Sequence, residues 1–309
     1  MNSTRYFTRE IERVSGNRVQ TCSDQLALEE PLEIQIATGP EGARQWKTVA
    51  ITMRTPGHDR ELAVGFLVGE GLLHSLDQVE AVYTLGPRDA ERGWQHQVRI
   101  TLRPGVKVDL DRLQRNFYTT SSCGVCGKTS IEALGMTIFS PLPVPSWQVE
   151  ARTICDLPAR LREAQEMFDQ TGGLHASGLF TPQGRTVLVR EDVGRHNALD
   201  KIVGAQFLAG RGPLSDLILV VSGRASFELV QKAIAAGIPM LIAVGAPSSL
   251  AVELAEKFGV TLIGFTKPAG FNLYTGAKRV RFETGPATSV NAQGASVRIR
   301  EEAMAASHT

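Results

Sequence analysis

The sequence predicts an α/β protein: a C-terminal sheet covered by helices on both faces, preceded by an α+β portion. Three observations carry this. Short continuous apolar runs at 217–221, 239–244 and 261–265 alternate with helical patterns at 227–236 and 249–258. Strands apolar on both faces belong to sheets sandwiched between helices. Earlier segments instead alternate apolar and polar residues, as at Leu32, Ile34 and Ile36, the period of half-buried strands. Finally, 309 residues with 42% hydrophobic content give room for two domains.

Taken in order, residues 1–18 are polar, alternate Arg with Glu, and are expected to be loosely held. Strands follow at 19–24 and 26–37, then a turn at Gly39-Pro40-Glu41-Gly42 and a returning strand at 47–53. Asp59 suits the N-cap of a helix carrying Leu62, Phe66 and Leu67, ended by Gly69 and Gly71. Strands at 79–85 and 95–102 are joined by a polar segment at 87–93, and a short helix is expected at 109–117. After a cysteine-containing stretch, three prolines stiffen residues 140–145. A helix at 158–171 places Leu161, Ala164, Met167 and Phe168 on one face. A hairpin of strands 176–181 and 185–190 turns at Pro182-Gln183-Gly184, and a helix at 197–209 follows. Residues 286–309 lack a pattern and are expected to be a disordered tail.

Composition excludes several classes of function. A net charge of +1 gives no overall pull toward nucleic acid or an anionic membrane, so any anion site must be local. The longest apolar run, 233–246, is broken by Gly237, Pro239 and Gly245 and does not make a membrane span. The N-terminus has no apolar signal core. Four cysteines in so long a chain do not make a disulfide scaffold, and Cys22 and Cys155 stand alone. The expected setting is reducing and cytoplasmic.

Chemistry concentrates in a few segments. Cys123-Gly124-Val125-Cys126-Gly127-Lys128 puts two thiols two residues apart, with glycine after each and a lysine behind. A thiol near a helix start and an ammonium tends toward thiolate, the form that attacks sulfur or binds metal. Half a zinc site, a redox dithiol, a nucleophile and a structural pair all stay open here; His175 and His196 are the imidazoles available to complete a zinc site. Three strand-end segments could hold a ligand. Arg190-Glu191-Asp192-Val193-Gly194-Arg195-His196-Asn197 gathers both charges and a histidine between a strand and a helix, or is a solvated loop. Ser222-Gly223-Arg224-Ala225-Ser226 offers N–H groups, hydroxyls and a guanidinium to a phosphate, or is a plain helix cap. Phe265-Thr266-Lys267-Pro268-Ala269-Gly270 sets an aromatic and a lysine where a nucleotide would lie, or is an exit loop. Thr171-Gly172-Gly173-Leu174-His175-Ala176 is a weaker candidate, a tight turn beside a histidine.

As an ordered set, these segments resemble one family, the formate dehydrogenase accessory sulfurtransferase FdhD. The resemblance also rests on Arg54-Thr55-Pro56-Gly57, on Glu61-Leu62-Ala63-Val64-Gly65-Phe66-Leu67 and on Ala198-Leu199-Asp200-Lys201. Glu228, Leu250-Ala251-Val252-Glu253-Leu254-Ala255 and Thr261-Leu262-Ile263-Gly264-Phe265 complete it, so that it runs from about residue 30 to 280. It implies an N-terminal α+β lobe at 19–118 and a cytidine-deaminase-like α/β/α lobe at 119–285. It implies a sulfur carrier that takes persulfide sulfur from a cysteine desulfurase on Cys123, with Cys126 as partner thiol. The acceptor would be molybdenum bis(molybdopterin guanine dinucleotide), the recipient formate dehydrogenase, and the carrier a homodimer. Phe265, Thr266, Lys267, Pro268, Ala269 and Gly270 match the segment assigned to this cofactor, for which GDP would be a mimic. Many relatives carry arginine where this chain has Gly270. Arg195, His196, Ser222 and Arg224 are the further candidate contacts. A zinc nucleoside deaminase would need H-x-E and P-C-x-x-C; here His196 is followed by Asn197-Ala198, and Ser122 precedes Cys123. A dithiol oxidoreductase would also carry such a thiol pair, as would a cofactor chaperone without persulfide chemistry.

Overall fold

Alternating buried and exposed side chains decide where each strand lies. The computed structural model describes residues 5–90, 92–109, 140–143 and 146–282. The cysteine stretch with Cys123 and Cys126, all but the first residue of the helix expected at 109–117, and the tail at 286–309 lie outside them.

The N-terminal sheet has the order β4-β3-β6-β5, with β3 at Glu30–Thr38, β4 at Gln45–Arg54, β5 at Val79–Leu85 and β6 at Gln97–Leu102. Leu32, Ile34, Ile36, Val98, Ile100 and Leu102 point into the core from this sheet. Helix α1 (Asp59–Gly69) covers it. The expected N-cap is corrected: His58 takes that position with a left-handed φ of 62°. Asp59 instead opens the helix and accepts two hydrogen bonds from Arg54, at 2.9 and 3.1 Å.

The expectation for residues 1–18 is also corrected. Tyr6–Ser15 forms β1, paired antiparallel along its whole length with β2 (Arg18–Ala27). Most of its side chains are exposed, so no apolar alternation betrays the strand. The base of this hairpin lies near Gly173, whose Cβ, if it had one, would stand 3.6 Å from that of Ala27.

The C-terminal sheet has the order β13-β12-β11-β10-β8-β9. Its strands are β8 (His175–Phe180), β9 (Thr186–Asp192), β10 (Ile218–Val221), β11 (Met240–Ala243), β12 (Thr261–Lys267) and β13 (Gly270–Leu273). The three middle strands β10, β11 and β12 run parallel, whereas β8, β9 and β13 pair antiparallel with their neighbours. Short strands β7 (Val149–Glu150) and β14 (Val280–Arg281) pair beside it. Strand β13 is unexpected; the apolar signal of Phe271 and Leu273 is too short to stand out beside Gly270.

Both faces of this sheet are covered, as continuous apolar strands require. Ile218, Val220, Met240, Ile242 and Ile263 pack on α2 (Ala151–Glu163) through Ile154, Leu157 and Leu161. Leu219, Val221, Leu241, Ala243 and Leu262 belong to the larger core. That core also takes in α4 (Arg195–Leu208), α5 (Phe227–Ala235), α6 (Ser249–Phe258), α1 and the N-terminal sheet. The helix expected at 158–171 is corrected to two: α2 begins seven residues earlier, with Pro158 inside it, and α3 (Glu166–Thr171) follows a break at Ala164-Gln165. A proline favours a helix start, which misplaces the boundary here.

Helices α1 and α4 meet backbone to backbone. A Cβ on Gly65 would lie 1.8 Å from the Asp200 carbonyl oxygen, and one on Gly204 would lie 1.8 Å from that of Glu61. Glycine inside a helix costs about 1 kcal/mol against alanine; here no other residue fits.

Candidate functional site

Parallel strands bring their C-terminal ends to one edge of a sheet, and the helices that follow begin there. At this edge β9 leads into α4, β10 into α5 and β11 into α6. Pairing of Val221 with Ser177 and of His175 with Asp192 places the start of β8 and the end of β9 at the same edge. Three helix N-termini therefore face one rim, each with the positive end of its dipole; the Ser226 and Ser248 hydroxyls cap α5 and α6 by accepting the Leu229 and Ala251 N–H.

The rim is continuous. Backbone bonds run on past the strands: Ser222 N–H to Ala176 O at 3.0 Å, Gly245 N–H to Gly223 O at 2.9 Å, Phe265 N–H to Gly245 O at 3.0 Å. Glycine at 245 eases this close approach, since a Cβ there would stand 3.2 Å from the backbone of Arg224 and 3.0 Å from its Cγ.

The structure brings most of the sequence-predicted residues together here. Arg195 and His196 open α4. The Arg195 Nε is buried and finds no hydrogen-bond partner among the described residues, an orphaned cationic donor. His196 Nε2 lies 2.9 Å from Glu228 Oε2 and 3.3 Å from the Ser226 hydroxyl. The hydrogen bond from His196 holds the Glu228 carboxyl below its usual range, against the opposing effect of burial. His175 rests against Gly223, 3.5 Å from where a Cβ would be. Burial, and then the charges of Arg195 and His196, push its imidazole below the ordinary histidine range, so it is neutral at pH 7. Arg224 and Lys267 are exposed. Phe265, 49% exposed, is held at a left-handed φ of 53°, which is costly for an aromatic residue.

Other predicted residues sit differently. Thr266 is buried, and its hydroxyl donates to the Ala243 carbonyl at 3.0 Å, so it anchors β12 to β11. The Ser222 hydroxyl accepts the Ala176 N–H at 2.9 Å. Lys267 and Gly270 close the β12–β13 hairpin, with Pro268 and Ala269 at its tip, so the alternative of a plain exit loop does not hold. Cys123 and Cys126 lie outside the described residues. Sequence reasoning missed the pairing of Glu228 with His196. An i, i+2 acidic residue after the capping Ser226 was the available signal, and it is common in any first helical turn.

The rim thus combines an orphaned guanidinium nitrogen, two further cations and an exposed aromatic beside helix N-termini. Such a set suits an anionic ligand with a planar ring. A family model described as the FdhD/NarQ family matches residues 27–281. The chain belongs to the FdhD/NarQ family. FdhD relatives named sulfur carrier protein occur in Streptomyces avermitilis and Streptomyces coelicolor. The first is 48% identical over 281 residues, 90% of this chain and 97% of that protein. The second is 49% identical over 274 residues, 88% and 94% of the respective chains. A crystal structure from Desulfotalea psychrophila, of a protein named as a candidate formate dehydrogenase accessory protein, shares the fold with a TM-score of 0.68. It is 21% identical and covers 90% of this chain and 100% of that one. Among the described residues, no helix is long and apolar enough to cross a membrane.

Proposed function

We propose that this chain is a sulfur carrier that serves formate dehydrogenase maturation. The observation that carries the reading is its near full-length similarity to sulfur carrier proteins. In this reading the Cys123 thiolate attacks the outer sulfur of a cysteine desulfurase persulfide. An S–S bond forms on Cys123, and the desulfurase cysteine leaves as thiolate. The outer sulfur is then transferred to reduced molybdenum bis(molybdopterin guanine dinucleotide), the substrate: the S–S bond breaks, Cys123 leaves as thiolate, and the reduced metal supplies the two electrons that take the sulfur to the sulfide level. Cys126 can intercept by attacking the inner sulfur, which forms a Cys123–Cys126 disulfide and releases sulfide.

The strand-end rim would hold the dinucleotide part of that substrate. Arg195, Arg224 and Lys267 would face its phosphates and Phe265 a ring, with the β12–β13 tip alongside. The orphaned Arg195 Nε is the feature of the structure that supports this fit. The cytidine-deaminase-like assignment of the C-terminal lobe, the lobe boundaries at 118/119 and 285/286, a homodimer and a cytoplasmic setting complete the proposal.

The test is intact-mass measurement after incubation with a cysteine desulfurase and cysteine. Gain of one sulfur on the Cys123 peptide, lost in Cys123→Ala and kept in Cys126→Ala, is expected. No gain on either cysteine overturns the carrier reading, and equal dependence on both points to a dithiol oxidoreductase.

A further inference from the structure

Arg195 and His196 sit at the rim, but the groups that fix their turn come from the N-terminal half of the chain. Asp192 is wholly buried, and its carboxylate accepts four hydrogen bonds. The donors are Thr55 N–H (3.2 Å), Gly194 N–H (2.9 Å), Asn197 Nδ2 (3.0 Å) and Lys201 Nζ (2.6 Å). Thr55 returns two more contacts. Its hydroxyl accepts the Val193 N–H at 3.2 Å and its carbonyl accepts Lys201 Nζ at 2.8 Å. On the far side of the turn, Asn197 Nδ2 donates to the Met53 carbonyl at 2.7 Å, and the Thr52 hydroxyl donates to Asn197 Oδ1 at 3.2 Å.

Arg195 and His196 are therefore the two residues between fixed points, Val193-Gly194 before and Asn197 after. The anchor is itself immobilised. Arg54 is fully buried and donates to Asp59 twice, to the Glu30 carbonyl at 3.2 Å and to the Gln95 carbonyl at 3.3 Å. Two backbone-constrained ends leave the intervening pair few conformations, which is how supporting residues preorganise a binding group.

We propose that Thr55 is a positioning residue for the strand-end ligand site: it sets where Arg195 and His196 stand, without reaching the ligand. This rests on the anion-binding reading of the rim. It assigns the Arg54-Thr55 turn, which lies in another part of the sequence, to the support behind the site. Thr55→Val keeps the volume and leaves the Val193 N–H unsatisfied; Thr55→Ser keeps the hydroxyl.

The experiment measures GDP binding by calorimetry on the full chain and the imidazole NMR signals of His196, assigned with His196→Gln. Thr52→Ala is a milder second variant should Thr55→Val not fold, and Val79→Ala in β5 is a control for general loss of stability. Expected are a fivefold to twentyfold weaker GDP affinity and a shifted His196 signal in Thr55→Val. Recovery to within twofold is expected in Thr55→Ser, a twofold to threefold loss in Thr52→Ala, and wild-type affinity in Val79→Ala. Wild-type affinity with an unmoved His196 signal in folded Thr55→Val, or in Thr52→Ala if Thr55→Val does not fold, overturns the proposal. If the unmodified protein does not bind GDP, the nucleotide reading fails separately. The His196 signal then decides alone: moved by the Thr55 or Thr52 change and not by Val79→Ala, the positioning role stands; unmoved, it falls.

Discussion

The seam between α1 and α4 and the rim at the strand ends solve opposite problems with the same helix. Along the seam, α4 lies against α1 with no side chain between Gly65 and Gly204. The buried charges beside it are matched: Lys232 donates to Asp200 at 2.8 and 3.0 Å, and Lys201 to Asp192 at 2.6 Å. At the rim, where α4 begins, Arg195 keeps a buried nitrogen without a partner among the described residues, and Phe265 keeps a strained backbone in solvent. Buried polar atoms without a partner among the described residues also occur elsewhere, at Trp94 Nε1, His96 Nδ1, Ser177 Oγ and Arg279 Nε for example. What sets the rim apart is that its open donor stands at a helix N-terminus, on the same edge as a strained and exposed aromatic.

The sharpest way to break this comparison is to add one methyl group to the seam. Gly204→Ala or Gly65→Ala is expected to destabilise by about 3 kcal/mol or more, because the obstacle is backbone on both sides and cannot yield. Chemical denaturation of each variant checks it; a loss near zero would mean the helices separate easily. At the rim the expected pattern is reversed. Arg195→Gln should leave the melting temperature nearly unchanged and weaken GDP binding by about tenfold to a hundredfold, the range for a charge-assisted hydrogen bond. Calorimetry with a melting curve on the same sample separates the two readouts.

A pH series tests a point between them. Glu61 sits in α1 and accepts both Arg190 Nε at 2.7 Å and Nη2 at 3.0 Å, with His58 Nδ1 at 3.2 Å. Burial raises its carboxyl, but the hydrogen bonds of His58 and Arg190 outweigh this and bring it down to about 2. A carboxylate with a depressed folded value contributes stability above its unfolded value near 4.5 and loses it as pH falls toward 2. Glu61→Gln is therefore expected to remove up to about 2–3 kcal/mol at pH 7 and to flatten the stability curve between pH 4.5 and 3. Denaturation midpoints at pH 7, 4.5 and 3 provide the comparison; an unchanged slope would show that the pairing does not matter.

The smallest expected effect is the most diagnostic. Phe265→Gly relieves a left-handed aromatic and should gain up to about 1 kcal/mol of stability, while GDP binding weakens severalfold as the exposed ring is lost. A variant that gains stability and keeps full affinity would deny Phe265 its place at the ligand.

Much of this architecture was legible in the sequence. The strands 217–221, 239–244 and 261–265 were announced by continuous apolar residues, and the one carrying Leu32, Ile34 and Ile36 by alternation, because burial on two faces or one leaves those two signatures. The rim was legible in part, since Arg195, His196 and Arg224 all follow strand ends. What the residues did not reveal are features that depend on distant neighbours. Among the described residues strand β1 pairs with β2 alone and buries little, so its Arg–Glu alternation looks like a polar tail. Thr266 looks like a ligand contact until β11 is seen to accept its hydroxyl. Asp192 looks like part of a charged loop, and Lys201 like an ordinary helix residue, until Thr55, far earlier in the chain, completes their bonds.

The touching glycines carry a consequence for anyone recombining such proteins. Because each helix occupies the space a neighbour's side chain would need, the two halves are fitted to each other at the level of main chain. A chimera joining the N-terminal sheet and α1 of one relative to the remainder of another should assemble wherever both donors keep glycine at these two places. It should fail where either has drifted to a larger residue, whatever the rest of the surface looks like.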